Sequence, residues 1–188
     1  MAAGKTLWSR EMASAPAVYL GDTLVLEWGL DEWGASEILK ESPELKRRAE
    51  RLRSSGTVSV VEVVDPATGK SLGLTIIEAG SRFSRGEVHF AGRALFMEDE
   101  NGRTLAYSLD TGERSGQQFG RVLAVNVARG VVGVQNQPGV ITVFDGSMHR
   151  LAEYALPGNV IYAGFDGEGK RLLAVTGSQQ VFIQEVPR

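Results

Sequence analysis

The stretch that decides the fold runs from residue 122 to residue 156 and reads VLAVNVARGVVGVQNQPGVITVFDGSMHRLAEYAL. Short apolar runs alternate here with turn residues such as the Asn136-Gln137-Pro138-Gly139 segment. Gly, Pro and Asn favour tight reversals of the backbone, and short apolar runs between reversals are typical of antiparallel strands. The pattern therefore predicts one four-stranded sheet, with strands at 122–127, 131–135, 140–144 and 148–156.

The same pattern returns along the chain. Large or branched residues close comparable strands at spacings of 43, 37 and 38 residues, at Val64, Tyr107, Phe144 and Phe182. Further strands are predicted on both sides of the first stretch, within 88–98, 103–109, 113–119, 160–165, 171–176 and 179–186. A period of about 40 residues with four strands in each period is typical of a β-propeller. The sequence thus predicts an all-β fold of about four four-stranded blades.

The two ends of the chain suggest how the last blade is completed. The final unit contains only three predicted strands before Pro187-Arg188. The opening residues 4–8, GKTLW, match the turn and strand start at Gly69-Lys70-Ser71-Leu72. An unpaired strand edge invites pairing with another segment. We therefore expect residues 4–12 to add a strand beside residues 179–186, which makes 1–188 a single propeller domain.

Residues 34–55 depart from the strand pattern. Ser42, Pro43 and Glu44 have the order of a helix N-cap, a first helical residue and an acidic first turn. An apolar face recurs at helical spacing, at Leu45, Ala49 and Leu52. The segment is therefore predicted to be one amphipathic α-helix, inserted between the second and third strands of the first blade.

The turn Asp65…Thr68-Gly69-Lys70 and the opening residues 4–8 resemble repeats of quinoprotein-like and WD-repeat-like bacterial β-propellers. The resemblance covers residues 4–28 and 57–186, although no Trp follows Lys70 and no unit carries a Trp-Asp dipeptide. It implies the propeller architecture, and it leaves open that the chain is the C-terminal part of a longer one. Quinoproteins of this type hold their cofactor in a larger ring of blades with a metal. We therefore expect no cofactor here.

Candidate catalytic residues are few. The two histidines, His89 and His149, fall in different predicted blades, and neither has a Ser and an Asp at triad spacing. The chain contains no cysteine, which excludes disulfides and thiolate chemistry. Acidic clusters lie on predicted turns without the spacing of a calcium loop, at Asp31-Glu32, Glu98-Asp99-Glu100 and Asp166-Gly167-Glu168. We expect neither a catalytic centre nor a metal site.

Candidate binding residues come from the loops. In propellers of the resembling family, loops joining second to third strands share a face with loops between blades, and loops on a rigid scaffold commonly bind partners. The basic residues of the predicted helix form either a solvated face or a docking surface for an acidic partner. The predicted binding residues are Trp28, Trp33, Arg47, Arg48, Arg51, Arg82, Phe83, Glu98, Asn101, Asn136 and Gln179.

These observations favour a non-catalytic propeller module that recognises a protein or another macromolecule. The alternatives are a quinone-dependent oxidoreductase or other propeller enzyme, such as a small hydrolase, and a structural fragment of a larger propeller. A net charge of −3 argues against nucleic acid as the partner. We expect a protein partner or adjoining domain, a monomer or a dimer formed by ring completion, and no membrane segment. Met1 to Arg10 show no signal peptide, so a cytoplasmic location is predicted.

Overall fold

The computed structural model of the chain describes residues 4–20, 23–54, 58–78 and 83–188. Its strands form four antiparallel sheets, and in each sheet neighbours in sequence are neighbours in space. Contacts divide the chain into unit 1, Met1–Ser81 with Leu109–Gly112, and unit 2, Arg82–Ser108 with Glu113–Arg188. The up-and-down topology confirms the predicted all-β fold of propeller-type blades, while the single domain over 1–188 stays a prediction.

Unit 1 contains one four-stranded sheet and both helices. Sheet 1 comprises β1 (Ala17–Leu20), β2 (Leu24–Gly29), β3 (Val58–Val64) and β4 (Ser71–Glu78). Between β2 and β3 lie α1 (Trp33–Leu39) and α2 (Pro43–Arg53), at the place predicted for one helix. Ser42, just before Pro43, has φ −133° and ψ 73°, because a residue before proline avoids the helical region. This break divides the insertion into two helices.

The apolar face predicted for the helix packs onto sheet 1. Ala49 is fully buried, and Leu45 and Leu52 are partly buried against the same core cluster, which includes Trp28 and Val60. In water most helical stability comes from such packing of an amphipathic face rather than from intrinsic propensity. The prediction that these apolar residues face the blade is confirmed.

The predicted strand at residues 4–12 needs correction, since these residues form no strand. The Trp8 indole N–H donates to the carbonyl of Pro66 at 2.8 Å, and its ring lies against Gly69. Arg10 pairs with Glu62 on β3. These contacts tie the segment to the β3–β4 turn and to sheet 1. If residues 4–12 were paired as a strand beside residues 179–186, the Trp8 ring and the Glu62 carboxylate would lose these partners.

Unit 2 contains three consecutive sheets. Sheet 2 comprises β5 (Phe83–Ala91), β6 (Ala94–Asp99), β7 (Arg103–Ser108) and β8 (Arg114–Phe119). Sheet 3 comprises β9 (Arg121–Asn126), β10 (Val131–Gln137), β11 (Val140–Asp145) and β12 (Arg150–Ala155). Sheet 4 has three strands in the described chain, β13 (Val160–Phe165), β14 (Arg171–Thr176) and β15 (Val181–Glu185). The predicted strands of this region are confirmed, with ends shifted by a few residues.

The Asp-initiated turns form as the sequence predicts. The Asp65 carboxylate accepts hydrogen bonds from the Thr68 hydroxyl and the Ala67 N–H, and these hold the pKa of Asp65 below its usual value. Asp145 and Asp166 accept backbone N–H groups in the same way. Such side-chain acceptors satisfy backbone donors that the turn would otherwise leave without a partner.

Hydrogen bonds from side chains join sheets 3 and 4 at the end that carries the β9–β10 and β13–β14 turns. The Asn126 amide donates to the carbonyl of Asp166 at 2.8 Å. The Arg129 guanidinium donates to the carbonyls of Gly169 and Val186, at 2.5 and 3.3 Å. These bonds fix one end of the stack, and the other end carries the predicted binding loops. We call that second end the loop end of unit 2.

Candidate functional site

At the loop end, sheets 2 and 3 are joined where β8 passes into β9. The Gly120 N–H donates to the carbonyl of Gly102 at 2.9 Å, and the Thr104 hydroxyl donates to the Gly120 carbonyl at 2.7 Å. The Glu98 carboxylate accepts the Val122 N–H at 3.0 Å. The β6–β7 turn and the connection between sheets are therefore held together by bonds of ordinary length.

Sheets 3 and 4 are joined at the same end. The Leu156 N–H donates to the carbonyl of Gly139 at 2.8 Å. The Gly177 N–H donates to the carbonyl of Asn159 at 2.8 Å, and the Gln135 amide donates to Asn159 Oδ1 at 3.3 Å. The β10–β11 turn, the loop between the sheets and the β14–β15 turn thus form one continuous surface.

This surface contains an open groove of about 270 Å³, which we call the loop-end groove. Asn136 Oδ1 is buried and has no hydrogen-bond partner among the described residues. A buried acceptor without a partner costs about 1–3 kcal/mol, so this oxygen suits a donor from a ligand. The groove is lined by Glu98, Gly102, Gly120, Arg121, Gln135, Asn136, Gln137, Pro138 and Asn159.

Asp99 holds the turn that borders the groove. Its carboxylate accepts the backbone N–H groups of Asn101 and Arg103 at 2.9 Å and the Arg103 Nε–H at 2.7 Å. Burial raises the pKa of Asp99, but the Arg103 guanidinium and the two N–H donors outweigh it, so the pKa lies below its ordinary value. Asp99 is therefore ionised at neutral pH and serves the turn rather than a reaction.

The structure brings together part of the predicted binding set in unit 2. Glu98 and Asn136 both line the loop-end groove. Asn101 is exposed on the adjoining β6–β7 turn, and Gln179 is exposed on the β14–β15 turn with φ 62°. Phe83 begins β5. Arg82 lies outside the described residues.

In unit 1 the predicted residues separate into buried and exposed ones. Trp28 is only 1% exposed and belongs to the core, and its role in binding stays a prediction. Trp33 is 62% exposed, and Arg47 and Arg51 are also exposed. Arg48 is partly buried and donates to the carbonyl of Gly112 at 2.6 Å, so it anchors α2 rather than extending the exposed basic surface.

The predicted binding set lacks four polar residues of the groove, Arg121, Gln135, Gln137 and Asn159. Arg121 begins β9 and Asn159 lies on the connection between sheets 3 and 4, and the repeat pattern had already assigned such connections to this face. Arg121 also donates to Gln135 Oε1 at 3.5 Å. The sequence could have identified these residues by their position in the repeat. Polar residues at such connections are neighbours of the turns that join second to third strands.

The histidines and carboxylates show no shared centre. His89 lies on β5, whereas the ring of His149, 3.2 Å from the Asp145 carboxylate, is on the β11–β12 turn. Within the part of the chain that the structure describes, no three His, Asp or Glu side chains are grouped so that they could hold a metal ion.

Across the described residues, neither helix has the length and apolar character needed to cross a bilayer.

No family model matches this chain, and no curated protein matches its sequence. Among solved structures it is similar to the computationally designed Ika4 protein, at 15% identity and a TM-score of 0.50, over 97% of this chain and 99% of that one. It is also similar to BamB from Moraxella catarrhalis, at 14% identity and a TM-score of 0.46, over 67% of this chain and 37% of BamB. The β-propeller domain of Cps50 (Swd1) from Myceliophteria thermophila follows at 14% identity and a TM-score of 0.43, over 57% of this chain and 36% of that domain. With sheets of this topology, the chain has a β-propeller fold.

Proposed function

We propose that this chain is a non-catalytic recognition module that binds an extended polypeptide segment in the loop-end groove. The observation that supports it most is the convergence of loops from sheets 2, 3 and 4 around one open groove, with the buried Asn136 Oδ1 lacking a partner. Loops held by a rigid scaffold are where binding residues concentrate. The scaffold here is rigid because hydrogen bonds join the sheets at both ends.

The lining of the groove suits a polypeptide backbone. Four of its nine lining residues carry side-chain amides, Gln135, Asn136, Gln137 and Asn159. An amide offers one acceptor and two donors, which match the N–H and C=O groups of an extended chain. Its two charged side chains, Glu98 and Arg121, have opposite sign, and Glu98 already accepts the Val122 N–H. Net charge therefore contributes little to recognition in this groove.

The exposed residues of the helical insertion supply a second contact surface in unit 1. Trp33, Arg47 and Arg51 are exposed, and Trp and Arg are enriched among the residues that contribute most to interfaces. Their charge suits an acidic segment of the same partner or of an adjoining domain. Asn101, on the β6–β7 turn, and Gln179, on the β14–β15 turn, are exposed at the same end and belong to the proposed binding set. The relation to quinoprotein-like and WD-repeat-like propellers stays a prediction, as does the cytoplasmic location.

Peptide selection on the purified full chain tests the proposal. Peptides selected from a random library are expected to lose about tenfold in affinity when Arg121→Ala and Asn136→Ala are combined, which corresponds to about 1.4 kcal/mol. The matched control is Glu168→Ala with Lys170→Ala, an exposed ion pair on the β13–β14 turn at the opposite end. Arg47→Glu with Arg51→Glu should weaken only acidic peptides. Equal binding by the groove variant and by the control variant would contradict the proposal.

Sheet 4 supports a second candidate function, association with another copy of the chain. Its side chains on one face are apolar and uncovered, with Tyr162 58%, Val181 60% and Ile183 64% exposed. Tyr162, Val175 and Val181 form one row across the three strands. Contiguous exposed apolar surface of this kind marks interaction sites. Two copies can bury these faces against each other about a two-fold axis, the commonest symmetry of protein dimers.

Light scattering after size-exclusion chromatography tests this association. The unmodified chain is expected to be a dimer, and Val181→Asp with Ile183→Asp is expected to make it a monomer with an unchanged circular dichroism spectrum. The physical reason is that each Asp would leave a charge in the buried interface but stay solvated in the monomer. Replacing the exposed Val127 with Asp provides the control, because Val127 lies outside sheet 4. An unmodified chain that stays monomeric at high concentration rules the association out.

A further inference from the structure

The edge that ends each sheet at its last strand is built differently in sheet 4. In sheets 1, 2 and 3 the third strand is covered on that side by a fourth, antiparallel strand. In sheet 4 the third strand is β15, and within the described chain it pairs only with β14. Residues 4–12, which the sequence predicted at this place, contact sheet 1 instead. β15 therefore has the position of a covered strand but keeps one edge open.

The pairing of β15 with β14 shows which backbone groups lie on the open edge. Just beyond β15, the Val186 N–H donates to the carbonyl of Lys170 at 2.8 Å. Hydrogen-bonded and non-hydrogen-bonded pairs alternate along an antiparallel ladder, and the β14–β15 register has no shift. The N–H and C=O groups of Val181, Ile183 and Glu185 therefore point away from β14. These three residues form the free edge of β15.

One group on this free edge is already bound. The Tyr154 hydroxyl on β12 donates to the carbonyl of Glu185. The N–H and C=O groups of Val181 and Ile183 have no partner in the part of the chain that the structure describes. The side chains of these two residues are 60% and 64% exposed. One incoming strand can therefore use four backbone groups and two apolar side chains.

The free edge of β15 lacks features that protect the edges of natural sheets. Charged side chains and β-bulges commonly serve this purpose. In sheets 1, 2 and 3 the pairing of third and fourth strands contains a register shift, whereas the β14–β15 pairing is regular. The fourth strand β12 also carries Arg150 and Glu153, while β15 has one charged residue, Glu185, at its end. Nothing in β15 itself opposes pairing along Val181 and Ile183.

We propose that the free edge of β15 binds an extended polypeptide segment of a partner as the fourth strand of sheet 4. The segment runs antiparallel to β15, as the fourth strands of sheets 1, 2 and 3 do to their third strands. It carries apolar residues opposite Val181 and Ile183, since apolar cross-strand pairs stabilise antiparallel sheets. Main-chain hydrogen bonds supply the affinity, and alternate side chains supply the selectivity. No residue of β15 lines the loop-end groove, so this site does not depend on binding there.

A synthetic peptide of residues 148–157, MHRLAEYALP, is a suitable probe because it contains β12, the fourth strand of sheet 3. The fluorescein-labelled peptide is titrated with the full chain, and binding is followed by fluorescence anisotropy. A dissociation constant of about 100 μM is expected. Absence of binding at about 1 mM chain overturns the proposal.

N-methylation of the peptide tests whether main-chain pairing holds it. In sheet 3 the Leu156 N–H donates to the β10–β11 turn, so by alternation the amides of Ala152 and Tyr154 face β11. The same two amides should face β15, and methylating both should weaken binding about tenfold. Methylating Leu151 and Glu153, whose amides point the other way, should change the affinity less than about twofold. Equal losses for the two methylated peptides overturn the proposal.

Ile183→Pro tests whether the peptide binds at β15. Proline removes the outward N–H of residue 183 but no bond to β14, and proline is accepted at strand edges. The variant should weaken the unmethylated peptide about tenfold. Ala155→Pro makes the same change at the free edge of β12 and should not weaken it.

Circular dichroism checks that both proline variants fold. If Ile183→Pro fails to fold, the two methylated peptides still decide between pairing at an edge and other binding. Equal peptide affinities of folded Ile183→Pro and Ala155→Pro overturn the assignment to β15. If Ile183→Pro instead converts a dimer of the unmodified chain into a monomer and leaves peptide binding unchanged, a second copy occupies this edge and the proposal is overturned.

Discussion

Gly120→Ala is expected to lower the free energy of unfolding by about 3 kcal/mol. Among the variants that add one methyl group, this is the largest expected loss. Gly120 has φ +118°, a region that side chains rarely adopt. An added Cβ would lie 2.2 Å from the Gln135 carbonyl oxygen and 2.7 Å from its carbon, so backbone rather than a flexible side chain must move. The movement would also break the Gly120 to Gly102 hydrogen bond, which holds the β6–β7 turn to the connection between sheets 2 and 3. Urea unfolding followed by circular dichroism measures the loss.

Gly102→Ala is the matched control for this prediction. Gly102 also has a positive φ, +69°, but an added Cβ there meets nothing within 4 Å. Its cost is therefore only the backbone strain of a left-handed residue, about 1 kcal/mol. If both variants lose the same free energy of unfolding, backbone strain alone explains the loss. The contact between Gly120 and β10 would then add no cost.

Arg10→Met is expected to destabilise unit 1 by about 2 kcal/mol. It leaves the Glu62 carboxylate, 2% exposed, without its ion-pair partner. Breaking a fully buried pair costs more, but the Arg10 side chain is 36% exposed, so water already supplies part of its solvation. Thermal unfolding of the full chain measures the effect, and Arg47→Met on the exposed face of α2 is the control for loss of an arginine charge.

A double-mutant cycle separates the charge from the packing of Arg10. Adding Glu62→Gln to Arg10→Met should recover more than half of the loss, because a neutral amide costs less to bury than an unpaired carboxylate. If the double variant is as unstable as Arg10→Met, the lost packing of residues 4–12 over sheet 1 explains the effect instead. That result would still support the corrected position of the N-terminal segment.

Local sequence signals were sufficient for the strands and turns. The short apolar runs around Val131 and Val143 predicted strands, and the structure buries four consecutive residues in each of them. Continuous apolar runs of this length between turns are typical of strands covered on both faces. The Asp65 turn forms its bonds within a few residues, so its geometry is encoded locally. The spacing of these elements then predicted the blade repeat. The helical insertion was placed correctly for the same reason, and only the break before Pro43 was missed.

Long-range contacts decided the rest. The opening of segment 4–12 matches the turn and strand start at residues 69–72, but the Trp8 contact with Pro66 and the Arg10 pair with Glu62 place it over sheet 1 instead. Trp28 was predicted as a binding residue, and its burial was decided by packing with residues of α1 and α2, Ala35, Leu39 and Ala49. The loop-end groove depends on how connections from three sheets meet. A sequence specifies which residues are polar and which lie on turns. Which of these residues become neighbours depends on strand register and on the contacts between sheets. Those contacts join residues that are far apart in the chain.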